Sequence, residues 1–132
     1  MDIREISVPA LAYLGDCALE ICVREYLVRE AGLASSAKLN KAALDFVRAS
    51  RQAQAMKNIL PLLSEEESAV FHRGRNMGHT NTPKSATVSE YRSATGMEAL
   101  FGWLWLGGEH ERMRSLFRIA YGLDGDTNTE EK

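Results

Sequence analysis

The sequence predicts an all-α domain of about five main helices. Apolar residues recur every three or four positions along most of the chain, and no stretch alternates apolar with polar residues as a half-buried strand does. Two capping boxes, Ser64 with Glu67 and Thr87 with Glu90, mark helix starts. Glycines at 32, 107, 108 and 122 fall where the periodic runs stop. Helices joined by short connections bury their apolar stripes against one another.

The elements follow in order. Ser7 with Pro9 reads as an N-cap and a first-turn proline, opening a helix that runs to about Glu30 and stops at Gly32. Ser35 or Ser36 opens a second helix that continues to about Ile59, where Pro61 ends it; its Lys38, Lys41, Arg48, Arg51 and Lys57 read mostly as a solvated face. The Ser64 capping box opens a third helix, to about Arg75. Residues 76–86, with Gly78, Asn81 and Pro83, have loop chemistry. The Thr87 box opens an apolar helix through Leu106, stopped by Gly107-Gly108. A last helix covers about Glu109 to Tyr121, with Gly122 as its cap. Residues 1–122 thus form one domain, and 123–132 an acidic tail expected to be disordered.

With 132 residues, 45% of them hydrophobic, the chain buries a real core without staples. No stretch approaches the roughly 18 unbroken apolar residues of a membrane span, and Met1-Asp2-Ile3-Arg4-Glu5 is not a secretory signal, so a cytoplasmic location is expected. Cys17 and Cys22, five apart on one helix, match neither a CxxC nor a zinc spacing and read as reduced core thiols. The net charge is -2, but the tail from 123 carries -3 and the body +1. Between His72 and Arg92 stand Arg73, Arg75, Lys84 and Arg92 against the single acid Glu90. That local basic segment permits phosphate binding, which depends on clustering more than on total charge.

Two stretches carry chemistry. In Leu11-Ala12-Tyr13-Leu14-Gly15-Asp16-Cys17-Ala18-Leu19-Glu20 and Tyr91-Arg92-Ser93-Ala94-Thr95-Gly96-Met97-Glu98-Ala99-Leu100-Phe101-Gly102, a carboxylate sits on a strongly apolar helix. A buried acid is costly unless paired, and a cation is one good partner. Ala12, Asp16 and Glu20 share one helical stripe, as Thr95 and Glu98 share another. Gly15, a poor helix former, is most useful where another backbone or a substrate approaches closely. Oxygen donors of this kind suit Mg²⁺. The bland alternative is a solvent-facing acid or a local ion pair, such as Glu20 with Arg24 at i+4. Spacing alone does not bring together residues 82 positions apart.

Tyr13-Leu14-Gly15-Asp16-Cys17-Ala18-Leu19-Glu20 resembles the ribonuclease III signature, E-x-L-G-D-x-x-L. Thr95-Gly96-Met97-Glu98-Ala99-Leu100-Phe101-Gly102 resembles that family's second acidic motif, D-x-x-E-A-L-x-G. The likeness runs from Val8 to Tyr121. Ala12 stands where the larger enzymes place a glutamate, and Thr95 where they place an aspartate. Both substitutions, with the Arg73-Gly74-Arg75-Asn76 turn and the absence of a following double-stranded-RNA-binding domain, resemble the family's compact bacterial branch.

The resemblance implies an all-helical homodimer that cleaves double-stranded RNA with Mg²⁺, or Mn²⁺ in its place, leaving 5′-phosphate and 3′-hydroxyl ends. It implies trimming of both ends of the 23S ribosomal RNA precursor, with a large-subunit ribosomal protein as a possible helper. Asp16 and Glu98 carry over as the catalytic, metal-holding pair, and Glu20 and Thr95 are candidates to supply the missing oxygens. Candidate RNA contacts are Arg73, Arg75, Asn76, Lys84 and Arg92, with His72 and His79 weaker. Tyr13, Leu14, Trp103 and Trp105 offer a self-complementary apolar patch for a dimer. The main alternative is a non-catalytic scaffold of the same fold that binds RNA or the ribosome. Loss of two family carboxylates favours that alternative, and retention of Asp16 and Glu98 opposes it. A helical protein-interaction module would rest on amphipathicity alone.

Overall fold

The structure is a computed structural model and describes residues 2–77 and 86–123. Within them lie six α-helices and no strand: α1 (Val8–Arg29), α2 (Ser36–Val47), α3 (Ala49–Ile59), α4 (Glu65–Arg75), α5 (Val88–Leu106) and α6 (His110–Ala120). Single 3₁₀ turns occupy Ile3–Glu5 and Leu60–Leu62, the latter carrying Pro61. The expected caps are present. Ser7 and Ser35 hydroxyls accept from the Ala10 and Lys38 amides, and both capping boxes close reciprocally. The Lys84 and His79 positions and the tail from Asp124 lie outside the described residues. No helix among the described residues is long and apolar enough to cross a membrane.

The single helix expected between Ser35 and Ile59 is two. Arg48 is extended (φ -66°, ψ 150°) and separates α2 from α3. Neither glycine nor proline marks the break, and the apolar period runs through it, so the sequence gives no sign of it. Long-range contacts support it instead. Tyr121 Oη donates to the Phe46 carbonyl (2.9 Å) and Gln52 Nε2 to the Val47 carbonyl (2.6 Å), satisfying two of the acceptors that end α2. The bend sets the Phe46 ring against Tyr26, Phe117 and Tyr121 while α3 sends Met56 and Ile59 into the core. Arg51, expected on a solvated face, is half-buried and lies over the Phe46 and Tyr121 rings.

Helix α5 is the axis of the fold. Its Met97, Leu100, Phe101 and Leu104 are fully buried among side chains of α1, α3, α4 and α6. It packs most extensively on α1, and there the two backbones touch. A Cβ on Gly15 would lie 1.5 Å from the Glu98 carbonyl oxygen, and one on Gly102 would lie 2.0 Å from that of Leu11. Only glycine permits this crossing. On its other side α5 meets α4, where a Cβ on Gly74 would lie 2.7 Å from the Ala99 Cβ. Glu67, itself buried, ties α4 to α6 through a two-pronged bond to Arg112 (2.9 Å to each oxygen).

The two cysteines part company. Cys22 is buried and its thiol is pushed up to about 12 by that burial, leaving it inert. Cys17 is exposed, contrary to the expectation of two core thiols. It lies between Tyr13 and Ile21, one helical turn from each, on a face of α1 that no other part of the described chain covers.

Candidate active site

The Gly15–Gly102 crossing brings the two acidic stretches together. Asp16 follows the glycine that rests on the Glu98 carbonyl, and Glu98 ends that same turn of α5. Asp16 is exposed and Glu98 half-buried. The Glu98 carboxyl is raised from its ordinary 4.5 to about 7, first by burial and then by the negative charge of Asp16, while a hydrogen bond from the Gln52 amide opposes the rise. Two residues 82 positions apart in the chain therefore share one electrostatic environment.

The raised carboxyl has a consequence for stability. Between about 4.5 and about 7 the native state holds the Glu98 proton that the unfolded chain has released, so folding stability declines as pH rises through that window. In metal-free protein, Glu98→Gln is expected to remove the decline and to exceed the parent at pH 8 by on the order of 2–3 kcal/mol. Urea unfolding at pH 5 and pH 8 reads this directly. An equal pH dependence in the two proteins would show that Glu98 is not perturbed.

The other oxygen candidates are engaged locally. Glu20 accepts from Arg24 Nε at 3.1 Å, the i,i+4 pair that the spacing allows. The buried Thr95 donates its hydroxyl to the Tyr91 carbonyl at 3.1 Å. Among the described residues no three His, Cys, Asp or Glu side chains gather as a ligand group.

Of the basic candidates, His72, Arg73 and Asn76 are exposed in the last turn and cap of α4, and Arg75 is half-buried. This turn is held to α5 through Gly74, which lies against Thr95, Gly96 and Ala99, within one turn of Glu98. Arg75 and His72 help line a cavity of ≈ 300 Å³ between α3, α4 and the first turns of α5, together with Lys57, Ser89 and Ser93. Arg92 is half-buried, with its Nε lacking a hydrogen-bond partner among the described residues.

Two features were not singled out from the sequence. Gln52, only 3% exposed, reaches Glu98 from α3. The signal was available, since Gln52, Met56 and Ile59 share one stripe and an amide on an apolar stripe needs a partner. The second is the extent of the uncovered face of α1. Tyr13 is 85% exposed and Ile21 47%, and Leu14, Cys17, Ile21 and Trp105 line an apolar cavity of ≈ 410 Å³. Trp103 and Trp105, offered for the same patch, are both half-buried and both also pack on the core.

The chain is similar to known proteins along most of its length. The Ribonuclease III domain family matches residues 9–109, which span both acidic stretches and the α1–α5 crossing. The chain is 34% identical to Mini-ribonuclease 3 of Clostridium tetani over 98% of this chain and 86% of that protein. It is 38% identical to the Mini-ribonuclease 3 of Enterococcus faecalis, over 96% of this chain and 97% of that protein. A crystal structure of protein FN1578 from Fusobacterium nucleatum superposes with a TM-score of 0.81 at 32% identity, over 95% of this chain and 98% of that one. The chain belongs to the ribonuclease III family, in the branch of the Mini-ribonuclease 3 proteins, and is an endoribonuclease.

Proposed function

We propose that this endoribonuclease is Mg²⁺-dependent, cuts double-stranded RNA as a homodimer in the cytoplasm, and matures both ends of the 23S ribosomal RNA precursor. The observation that carries the cation is the convergence of Asp16 and Glu98 at the Gly15–Gly102 crossing. A carboxyl whose ionisation is disfavoured by burial and by a neighbouring carboxylate, as that of Glu98 is, is what a divalent cation stabilises in its charged form, and an all-oxygen donor set suits Mg²⁺ or Mn²⁺. Such an ion, held by Asp16 and Glu98, supplies charge against the phosphodiester and a more acidic attacking water. Thr95, fixed to the Tyr91 carbonyl, holds its turn of α5 in place, and Glu20 acts through water beyond its pair with Arg24. The ribosomal substrate, and the help of a large-subunit ribosomal protein, rest on the family resemblance.

The homodimer is supported by the uncovered apolar face of α1, with Tyr13 and Ile21 at its edge and the Trp105-lined cavity beside them. A twofold axis through such a face pairs it with itself and gives one carboxylate pair per strand of the duplex. The RNA grip is assigned to Arg73, Arg75, Asn76, Lys84 and Arg92. Reversing Arg73 and Arg75 together is expected to weaken duplex binding and to flatten its salt dependence by about two phosphate contacts. An unchanged slope in filter-binding assays would strike both from the contact list.

Incubation with long duplex RNA tests the function as a whole. Discrete fragments in Mg²⁺, none in chelator, and none from single strands are expected. Duplex binding without cleavage in Mg²⁺ would instead favour the scaffold alternative.

A further inference from the structure

A cleft of ≈ 300 Å³ lies between α3, α4 and the start of α5. Its floor is apolar and belongs to the core: Met56 and Phe71 line it while only 1% and 3% exposed. Its rim is polar. Lys57 comes from α3, His72 and Arg75 from successive turns of α4, and Ser89 and Ser93 from successive turns of α5. The His72 ring stands edge-on to that of Phe71, with centroids 5.1 Å apart at 63°, so an aromatic wall joins floor to rim. Elsewhere the arginines are largely ion-paired: Arg24 with Glu20, Arg48 with Asp45, Arg112 with Glu67 and Arg118 with Glu30. Among the described residues no acid pairs with Lys57 or Arg75. The one acid in the lining, Glu90, commits a carboxylate oxygen to the Thr87 amide at 3.0 Å, inside the capping box.

Unpaired cations beside hydroxyl donors suit an anion, and an apolar floor with an aromatic wall suits a flat apolar body joined to it. A phosphate alone would leave the floor uncovered, and a base alone would leave the cations without a partner. The volume stands at the lower limit of small-molecule sites, about 300–1,000 Å³, which fits one nucleotide and excludes a base-paired duplex. We propose that this cleft binds one unpaired nucleotide, its base on the Met56–Phe71 floor beside the His72 ring and its phosphate on Lys57 and Arg75, with the Ser89 and Ser93 hydroxyls as further donors. Unpaired nucleotides are ordinarily held by this combination of aromatic surface and cations. The nucleotide is either free or the unpaired end of an RNA strand, since both present the same chemistry. For Arg75 the proposal deepens the RNA grip assigned above and rests on it; it does not depend on Asp16 and Glu98 holding a cation. The Phe71 ring packs against Gly96, where a Cβ would lie 2.7 Å from it, so the floor of the cleft adjoins α5 two residues before Glu98.

The test follows the backbone amide resonances of the full chain, in chelator so that nothing is cut, during titration with adenosine 5′-monophosphate. Saturating shifts are expected in the three stretches that line the cleft, 53–57, 71–75 and 89–93. Inorganic phosphate and adenosine each lack one half of the contact and are expected to bind about tenfold or more weakly. Lys57→Glu is expected to weaken the monophosphate by about tenfold or more, the size of one lost charge-assisted hydrogen bond, and Lys38→Glu, the same charge change on α2, to leave it within about twofold. Shifts that do not saturate, or equal losses in the two variants, would overturn the proposal. Should Lys57→Glu lose its helical circular dichroism, Lys57→Gln takes its place with the same expectation. A duplex with one unpaired 3′ adenosine, set against its blunt counterpart, identifies the source. Displacement of the monophosphate by the overhanging duplex alone assigns the cleft to an RNA end. Displacement by neither, with both duplexes bound, assigns it to free nucleotide. Displacement by both alike would overturn the claim that the occupant is unpaired. Failure to bind either duplex, with the monophosphate still saturating the cleft, would remove the RNA grip and leave the nucleotide site standing.

Discussion

Asp16→Asn is expected to abolish duplex cleavage, by ~10³-fold or more, in a protein that folds and binds RNA as before. The size follows from what a lost cation contributes: several kcal/mol of transition-state stabilisation, at a factor of ten for each ~1.4 kcal/mol. The fold is spared because Asp16 is exposed and no hydrogen bond or ion pair depends on it among those described. Exposed substitutions of this kind ordinarily change stability by less than about 0.5 kcal/mol. One further effect tells loss of charge from loss of structure. Asp16 is the second cause of the raised Glu98 carboxyl, so Asp16→Asn should bring that carboxyl part of the way back toward the ordinary range. Cleavage at the parental rate by a clean preparation would remove Asp16 from the reaction.

The largest structural effect is expected at a residue with no side chain. Gly15→Ala replaces the worst ordinary helix former with the best, and on an exposed helix it would gain about 1 kcal/mol. Here the new methyl would lie 1.5 Å from the Glu98 carbonyl oxygen, 2.5 Å from its carbon and 2.8 Å from the Gly102 nitrogen. All three are backbone atoms of a central helix, so no side chain can swing aside and α1 must move away from α5. A loss of more than about 4 kcal/mol is expected, in the range reserved for disrupted cores. Any folded fraction should cleave poorly, because the same displacement parts Asp16 from Glu98. Thermal unfolding that shows Gly15→Ala neutral or stabilising would mean that the two helices do not touch there.

These two expectations show what was legible in the sequence. Helix ends were written locally, in Ser7, Ser35, the Ser64 and Thr87 boxes and the glycines at 32, 108 and 122, and the structure closes each of them. The use of Gly15 was also legible, because an interior helix glycine carries a conformational cost that close backbone approach explains. The break at Arg48 was not. It is held by Tyr121 and Gln52 bonding the ends of α2, and a bond across 75 residues leaves no mark on local periodicity. The exposure of Cys17 was hidden for a related reason. The Tyr13–Cys17–Ile21 stripe is as apolar as a core stripe, and composition does not distinguish an apolar face buried within the chain from one that lies open. The meeting of Asp16 and Glu98 was implied by the resemblance to the ribonuclease III motifs, and the glycine crossing gives it a physical basis.

The measurement that bears most directly on the carboxylate pair is calorimetric titration of the RNA-free protein with Mn²⁺, for the parent, Asp16→Asn, Glu98→Gln and the double variant. One shared site predicts that either single substitution removes most of the binding and that the second adds little, a strongly non-additive cycle. Parental affinity in either single variant, with the fold intact, would contradict the claim that α1 and α5 meet to hold a divalent cation.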